Sequence, residues 1–331
     1  MTTSGSYAFN QNRDQIIKPA LRKIGAIAAG EIPNSQLMND AAAQLNSMVK
    51  HFMATGIHLW TVEEAIMYTN IGQAMYILGP GSSTPCYQVA VQTTLSEAAN
   101  PGATTFYVES VYGMVVGNKI GIVLADGTTA WLTISSIDTG LNTVVASTPI
   151  DDYALFGTIA YGASYGIQRP LRIPAARRWS FIGSGSAGAT GGIDTPMTAI
   201  SRLDYDNLPQ KNLQGTVTQF YYNPRGGAVD SGALYLWPTP SDSINNNIKF
   251  TWYRPIQTFD NAANTPDFPQ EWIEVLTWNL AQRMGPEYGT PEQVMTRIDK
   301  MADQTLEVAM GWDREPESTY FGVDFSQMFR S

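Results

Sequence analysis

Apolar residues recur at helical spacing at both ends of this chain and lose that spacing in its middle. Near the start, Ile17, Ala20, Leu21, Ile24, Ile27 and Ala28 follow a period near 3.6, and Leu37, Ala41, Leu45, Met48, Val49 and Phe52 follow it again. Near the end, Trp272, Ile273, Leu276, Leu280 and Met284 share one helical face, and Val294, Ile298, Met301, Thr305 and Val308 share another. Each pair of stripes is joined by a few residues rich in Gly and Pro, so each predicts an αα-hairpin. Asp14 is the expected cap of the first helix, with Pro19 tolerated only near its first turn and Gly30 and Pro33 ending it. Asn34 or Ser35 caps the second helix, and Thr290 the last, with Pro291 at its first position.

Between the hairpins the pattern is of short β-type runs. Residues 65–69 and 73–78 flank Asn70-Ile71-Gly72, which predicts a hairpin turn. Residues 105–109, 119–124, 129–137 and 142–146 are strand-like, and Asp126-Gly127 between the middle two is a strong hairpin signal. Residues 217–222, 233–237 and 248–253 read as further strands, and 198–208 as a short helix. The fold class is α+β: N- and C-terminal helical hairpins packed with a β-rich middle, plus an inserted small all-β domain. The expected division is a discontinuous core of residues 1–82 and 165–311, an insert of residues 83–164, and an extended tail of residues 312–331.

Composition narrows the function. Charged residues make up 15% of the chain, against roughly 25% in an average globular protein. A surface so poor in charge fits one covered by neighbouring subunits. The net charge of −9 disfavours tight phosphate neutralisation, though not a wall past which DNA slides. The single cysteine, Cys86, leaves no disulfide within the chain. Residues 1–14 are polar and lack the apolar core of a signal peptide, and no run approaches the ~18 apolar residues of a membrane span, so no membrane partner is expected.

Candidate chemistry is sparse. Gly183-Ser184-Gly185-Ser186-Ala187-Gly188 matches a phosphate-cradle pattern, but the residues after it do not start a helix, so a loop is expected and no cofactor. His51 and His58 are the only histidines and have no metal-ligand motif beside them; no metal site and no catalytic residue is assigned. Glu63/Glu64, Asp151/Asp152 and Asp204/Asp206 are carboxylate pairs, but sequence neighbours rarely face each other across a sugar. A cell-wall glycan hydrolase, or a host-surface carbohydrate-binding module centred on the insert, is the alternative class. Arg225-Gly226-Gly227 reads as a turn. Arg169, Arg172, Arg177 and Arg178 form the basic cluster, which could face DNA backbone or acidic neighbours such as another subunit, although a solvated or salt-bridged strand face is the more frequent case. The tail carries Trp312, Tyr320, Phe321, Phe325, Met328 and Phe329, large apolar side chains without a helical period; they either fold back on their own core or dock into another chain.

The order of several segments resembles a known family. Leu21-Arg22-Lys23-Ile24-Gly25, Ala28-Ala29-Gly30-Glu31-Ile32-Pro33 and Gly56-Ile57-His58-Leu59-Trp60-Thr61 are similar to the head-to-tail adaptors (connectors, tail accessory factors) of short-tailed phages, the podoviruses. Arg169-Pro170-Leu171-Arg172-Ile173, Ile200-Ser201-Arg202-Leu203-Asp204-Tyr205 and Leu208-Pro209 continue the likeness, as do Tyr235-Leu236-Trp237-Pro238 and Asp267-Phe268-Pro269-Gln270-Glu271-Trp272. The insert departs from the smaller members. The resemblance implies a structural virion protein, not an enzyme. It would be assembled in the host cytoplasm and placed at the portal vertex as a dodecameric ring. Its partners would be copies of itself, the portal protein and tail nozzle or tail fibre proteins, with genomic DNA passing through the channel without specific binding.

Overall fold

A computed structural model describes residues 9–55, 59–165, 167–180, 193–226 and 230–312. Its α-helices are α1 (Arg13–Lys23), α2 (Ser35–Thr55), α3 (Arg202–Asp206), α4 (Ile273–Met284) and α5 (Glu292–Trp312). The first strands are β1 (Val62–Met67), β2 (Met75–Leu78), β3 (Pro85–Thr94), β4 (Thr105–Tyr107), β5 (Lys119–Val123), β6 (Thr129–Asp138), β7 (Thr143–Ala146) and β8 (Ile159–Tyr165). There follow β9 (Arg172–Ser180), β10 (Ile193–Pro196), β11 (Thr198–Ala199), β12 (Gln214–Gly215), β13 (Gln219–Asn223), β14 (Gly232–Trp237), β15 (Thr239–Pro240) and β16 (Asn247–Tyr253). The architecture is α+β, with helices toward both ends and strands between. By contacts the chain divides into Met1–Trp60 with Ile256–Ser331, and Thr61–Pro255.

The first unit is helical. Asn12, not Asp14, caps α1: its side chain accepts from the Gln15 N–H, and the Gln15 side chain accepts from the Asn12 N–H. A reciprocal box satisfies two donors that a helix start would otherwise leave open. Pro19 lies inside α1, past its first turn. An interior proline costs about 3 kcal/mol. Burial of Ile16, Ile17 and Leu21, each fully inaccessible, at about 1.5–3 kcal/mol apiece outweighs that cost. The helix ends at Lys23 rather than at Gly30, because Gly25 takes a left-handed conformation with φ 75°. Ile24 and Ile27 are nonetheless buried in the same core. Asn34 caps α2 through a 2.7 Å bond from the Leu37 N–H.

The Thr290 hydroxyl donates to the Ile24 carbonyl at 3.2 Å, and α5 starts at Glu292. The expected apolar face of α5 also divides. Ile298 and Ala302 are buried and Ala309 nearly so, whereas Val308 is 65% exposed and Val294 is 40% exposed. The helices close over Phe52, Trp60, Phe268 and Trp272, whose rings meet with centroids 5.0–6.2 Å apart. Asn46 on α2 clamps the segment before α4: it accepts from the Phe259 N–H at 2.8 Å and donates to the Phe259 carbonyl at 3.0 Å.

The second unit is built on a ten-stranded sheet of order β10-β9-β16-β1-β3-β8-β5-β6-β7-β4 and a four-stranded sheet β11-β13-β14-β2. One face of the first sheet (Ala65, Met67, Ile173, Ala176, Ile248, Phe250, Trp252) meets Tyr76, Leu78, Phe220, Leu234 and Leu236 of the second in a common core. Residues 65–78 therefore do not form a hairpin. β1 pairs with β16 and β3, while β2 pairs with β14, so Asn70-Ile71-Gly72 carries the chain from one layer to the other. Tyr76 fixes this crossing, its hydroxyl accepting from the Asn70 N–H at 3.0 Å.

Residues 95–160 have a core of their own around Phe106, Ile120, Ile122, Leu132 and Val144. The β5–β6 hairpin is as expected from Asp126-Gly127: Val123 pairs with Thr129, and Gly127 sits at φ 84°, where a Cβ is strained. β3 belongs to both regions, with a register irregularity between Cys86 and Val91 where it passes from one to the other. Across β8, β5 and β6, Tyr161, Gly121 and Trp131 share a row. Gly121 lets the Trp131 indole lie flat over it; a Cβ there would come within 2.5 Å of the ring.

Candidate functional site

The predicted basic cluster does not assemble as one positive patch. Arg169 donates to the Pro224 carbonyl at 3.1 Å, and Arg172 stands exposed at the start of β9. Arg177 and Arg178 are successive strand residues and so point to opposite faces. Arg177 joins Glu64, Lys249 and Asp194 in a network: Lys249 lies 3.4 Å from Glu64 and 3.8 Å from Asp194, and Arg177 is paired with both acids. Two cations against two carboxylates leave no local excess. Arg178 donates to the Thr195 hydroxyl at 3.3 Å from β9 to β10. Strand alternation, readable in the sequence once β9 is recognised, is what separates them.

The carboxylate pairs are likewise engaged singly. Glu63 and Glu64 face opposite sides of β1: Glu63 accepts from Arg254 at 2.8 Å and Gln88 at 2.6 Å, and Glu64 belongs to the network above. Asp204 closes a capping box with Ser201, Asp206 pairs with Arg202 at 3.6 Å, and Asp152 accepts from the Tyr153 N–H. Arg225 begins a turn held by bonds to Asn223. His51 is exposed on α2; His58 and the 183–188 glycine segment lie outside the described residues. Among the described residues no three His, Cys, Asp or Glu side chains group as a metal site, and no helix is long and apolar enough to cross a membrane. Burial pushes the Cys86 thiol and the hydroxyls of Tyr68, Tyr76 and Tyr161 well up, so all four stay protonated at neutral pH.

What the surface does offer is apolar. Between α4 and α5 lies a groove of about 380 Å³, lined by Trp272, Val275, Met301, Thr305, Val308 and Ala309. The spacing of Ala302 and Ala309 from Ile298 carries the signal that the apolar pattern leaves out. The core stripe of α5 runs through small residues, and the larger Val308 is left beside the groove. A second set of exposed apolar side chains lies on loops between the strands of residues 83–164: Tyr112, Val115, Val116, Leu141, Leu155 and Phe156 are each more than half exposed. Of the predicted docking residues, Trp312 ends α5, and Tyr320, Phe321, Phe325, Met328 and Phe329 lie outside the described residues.

The described residues thus leave apolar side chains exposed on α5 and on the loops between strands. The model of the SU10 adaptor protein family matches residues 12–319. The chain belongs to that family. This adaptor is thus a phage structural protein, a component of the virion, and the adaptor resemblance of its helical segments holds at that level. No curated protein matches it. Among solved structures, VP17, a capsid protein of bacteriophage P23-77, matches at 8% identity over 61% of this chain and 77% of that one, with a TM-score of 0.13.

Proposed function

We propose that this adaptor forms a ring, dodecameric like those of the short-tailed phage connectors it resembles, which binds the portal after DNA packaging. The ring lengthens the DNA channel and gives the tail nozzle or fibres a platform. The observation that carries this reading is the family match over residues 12–319, which spans both helical hairpins and the strands between them. Three physical features support it. Charged residues are few, as suits surfaces covered by copies of the same chain. Arg177 and Arg178 of β9 are held by Glu64, Asp194 and Thr195, which leaves little unpaired positive charge on this part of the sheet to grip phosphates; DNA passes rather than binds. The tail concentrates aromatics and Met, the residue types that anchor protein interfaces. For residues 83–164, with their exposed Tyr112, Leu141 and Phe156, we infer contact with tail proteins.

Electron microscopy of the purified adaptor mixed with its portal tests the reading, with a ring stacked on the portal as the expected image. Removal of residues 312–331 is expected to abolish portal binding while the rest of the chain folds. A truncated chain that binds normally would remove the docking role of the tail. A full-length chain that stays apart from the portal under all conditions would remove the adaptor ring itself.

A further inference from the structure

The α4–α5 groove opens close to where the described chain ends. α5 finishes at Trp312, three residues beyond Ala309, which lines the groove, and 19 residues follow. Those residues include Tyr320, Phe321, Phe325, Met328 and Phe329. Eight extended residues after Trp312 reach up to roughly 28 Å. The groove runs back along α5 from Ala309 to Met301, about 12 Å at helical rise. The tail can therefore turn back and lay its aromatics along the full groove without strain in the connection.

We propose that the groove is the seat of this chain's own tail, with the Phe325–Phe329 segment covering Val308 and Met301 in the free protein. Tethering decides for the chain's own tail over a neighbour's. A short covalent link holds a segment at about millimolar effective concentration near its site. Free subunits at micromolar concentration present a neighbour's tail about a thousandfold more dilutely. Even a segment that would bind with Kd near ~0.1 mM as a separate peptide is then mostly seated in its own chain. Seating hides at one stroke the exposed valine of α5 and the apolar tail. The occupancy stands on the groove and the tether alone. Its consequence, that portal binding must draw the tail out, rests on the portal-docking reading above.

The test uses the full chain. Cys86 is 1% exposed and reacts slowly, so thiols can be introduced beside it. Gln304, exposed on the groove's rim, is changed to Cys together with either Gln327→Cys, between Phe325 and Met328, or Ser318→Cys, before the aromatics. Intramolecular disulfide formation is timed under mild oxidation. A tail with no seat favours position 318, which closes the shorter loop about twofold faster. Seating predicts the reverse, position 327 faster by about tenfold, and loss of that advantage when Val308→Asp is added to a chain whose circular dichroism is unchanged. Position 327 equal to or slower than 318, or disulfide-linked dimers in place of closed monomers, overturns the proposal. Portal binding is measured on the same samples without substitution. Binding without the 327 advantage sinks the seat and leaves the adaptor role; the 327 advantage without binding does the opposite.

Discussion

Asn46 offers the sharpest test of how the helical unit is held. Its amide makes two bonds to the backbone of one residue, accepting from the Phe259 N–H and donating to the Phe259 carbonyl. Phe259 itself is 4% exposed, so water reaches these groups poorly once the amide is gone. Each bond contributes roughly 0.5–1.5 kcal/mol net, and Asn46→Ala is expected to cost about 2 kcal/mol. For a domain of this size that is a fall in Tm of about 8 °C. Asn46→Asp separates the two bonds. The carboxylate still accepts from the N–H but faces the Phe259 carbonyl oxygen with a second acceptor, so its folded pKa is raised. A raised pKa places the compensating stability below the unfolded carboxyl value near ~3.9, and that stability is lost as pH rises through the folded value. Asn46→Asp should therefore lie much closer to the unsubstituted protein at pH 3.5 than at pH 7. Urea unfolding at both pH values, each variant against the parent, reads the difference. Asn46→Ala within about 0.5 kcal/mol of the parent, or an Asn46→Asp deficit independent of pH, would refute the clamp.

Three further outcomes are expected. Trp272→Ala removes the ring shared by Phe52, Trp60 and Phe268 and should cost about 3–5 kcal/mol in guanidinium unfolding; a cost below ~1 kcal/mol would show that the aromatic cluster is not where this core is held. Gly121→Ala drives a methyl against the Trp131 indole and should cost about 1–3 kcal/mol and shift tryptophan emission, whereas unchanged emission and stability would mean the ring does not lie there. The raised hydroxyls of Tyr68, Tyr76 and Tyr161 leave stability flat below the ordinary tyrosine value near ~10. Above it stability should fall by up to roughly 4 kcal/mol per pH unit, followed by tyrosinate absorbance against unfolding; ionisation without unfolding to pH 12 would contradict their burial.

The helical ends were legible because a 3.6-residue apolar period needs no knowledge of partners. Met38 to Phe52 lie inward as their spacing requires, and so do Trp272 to Met284. What spacing could not show was how α5 divides its face, since Ala302 and Ala309 are small enough to be core while weighing little in any apolar pattern. The hairpin expected over residues 65–78 failed for a different reason. Its turn is real, but Ala65 and Met67 look across the core at Tyr76 and Leu78 from the opposite layer. A turn between sheets and a turn within one use the same residues, and the choice lies with β16 and β14, far along the chain. The basic cluster was read as a unit because its four arginines are near in sequence. On a strand, adjacency means opposite faces, and the neutralising acids come from β1 and β10. Among the described residues the groove had no signature in motif or charge; it arises from two helices meeting over small side chains.

The helical unit joins the first 60 residues of the chain to its last 76. Ile16, Ile17, Leu21, Leu45 and Met48 have their cover only when Trp272, Leu276 and Leu280 have been made. At 5–20 residues per second, a ribosome needs roughly 10–40 s to supply the intervening stretch. Through that interval the opening helices wait with their oily side uncovered, a natural client for a chaperone. A chain abandoned before α4 can never close this unit, so synthesis as far as α4 is checked by folding itself before any copy is fit to enter a particle.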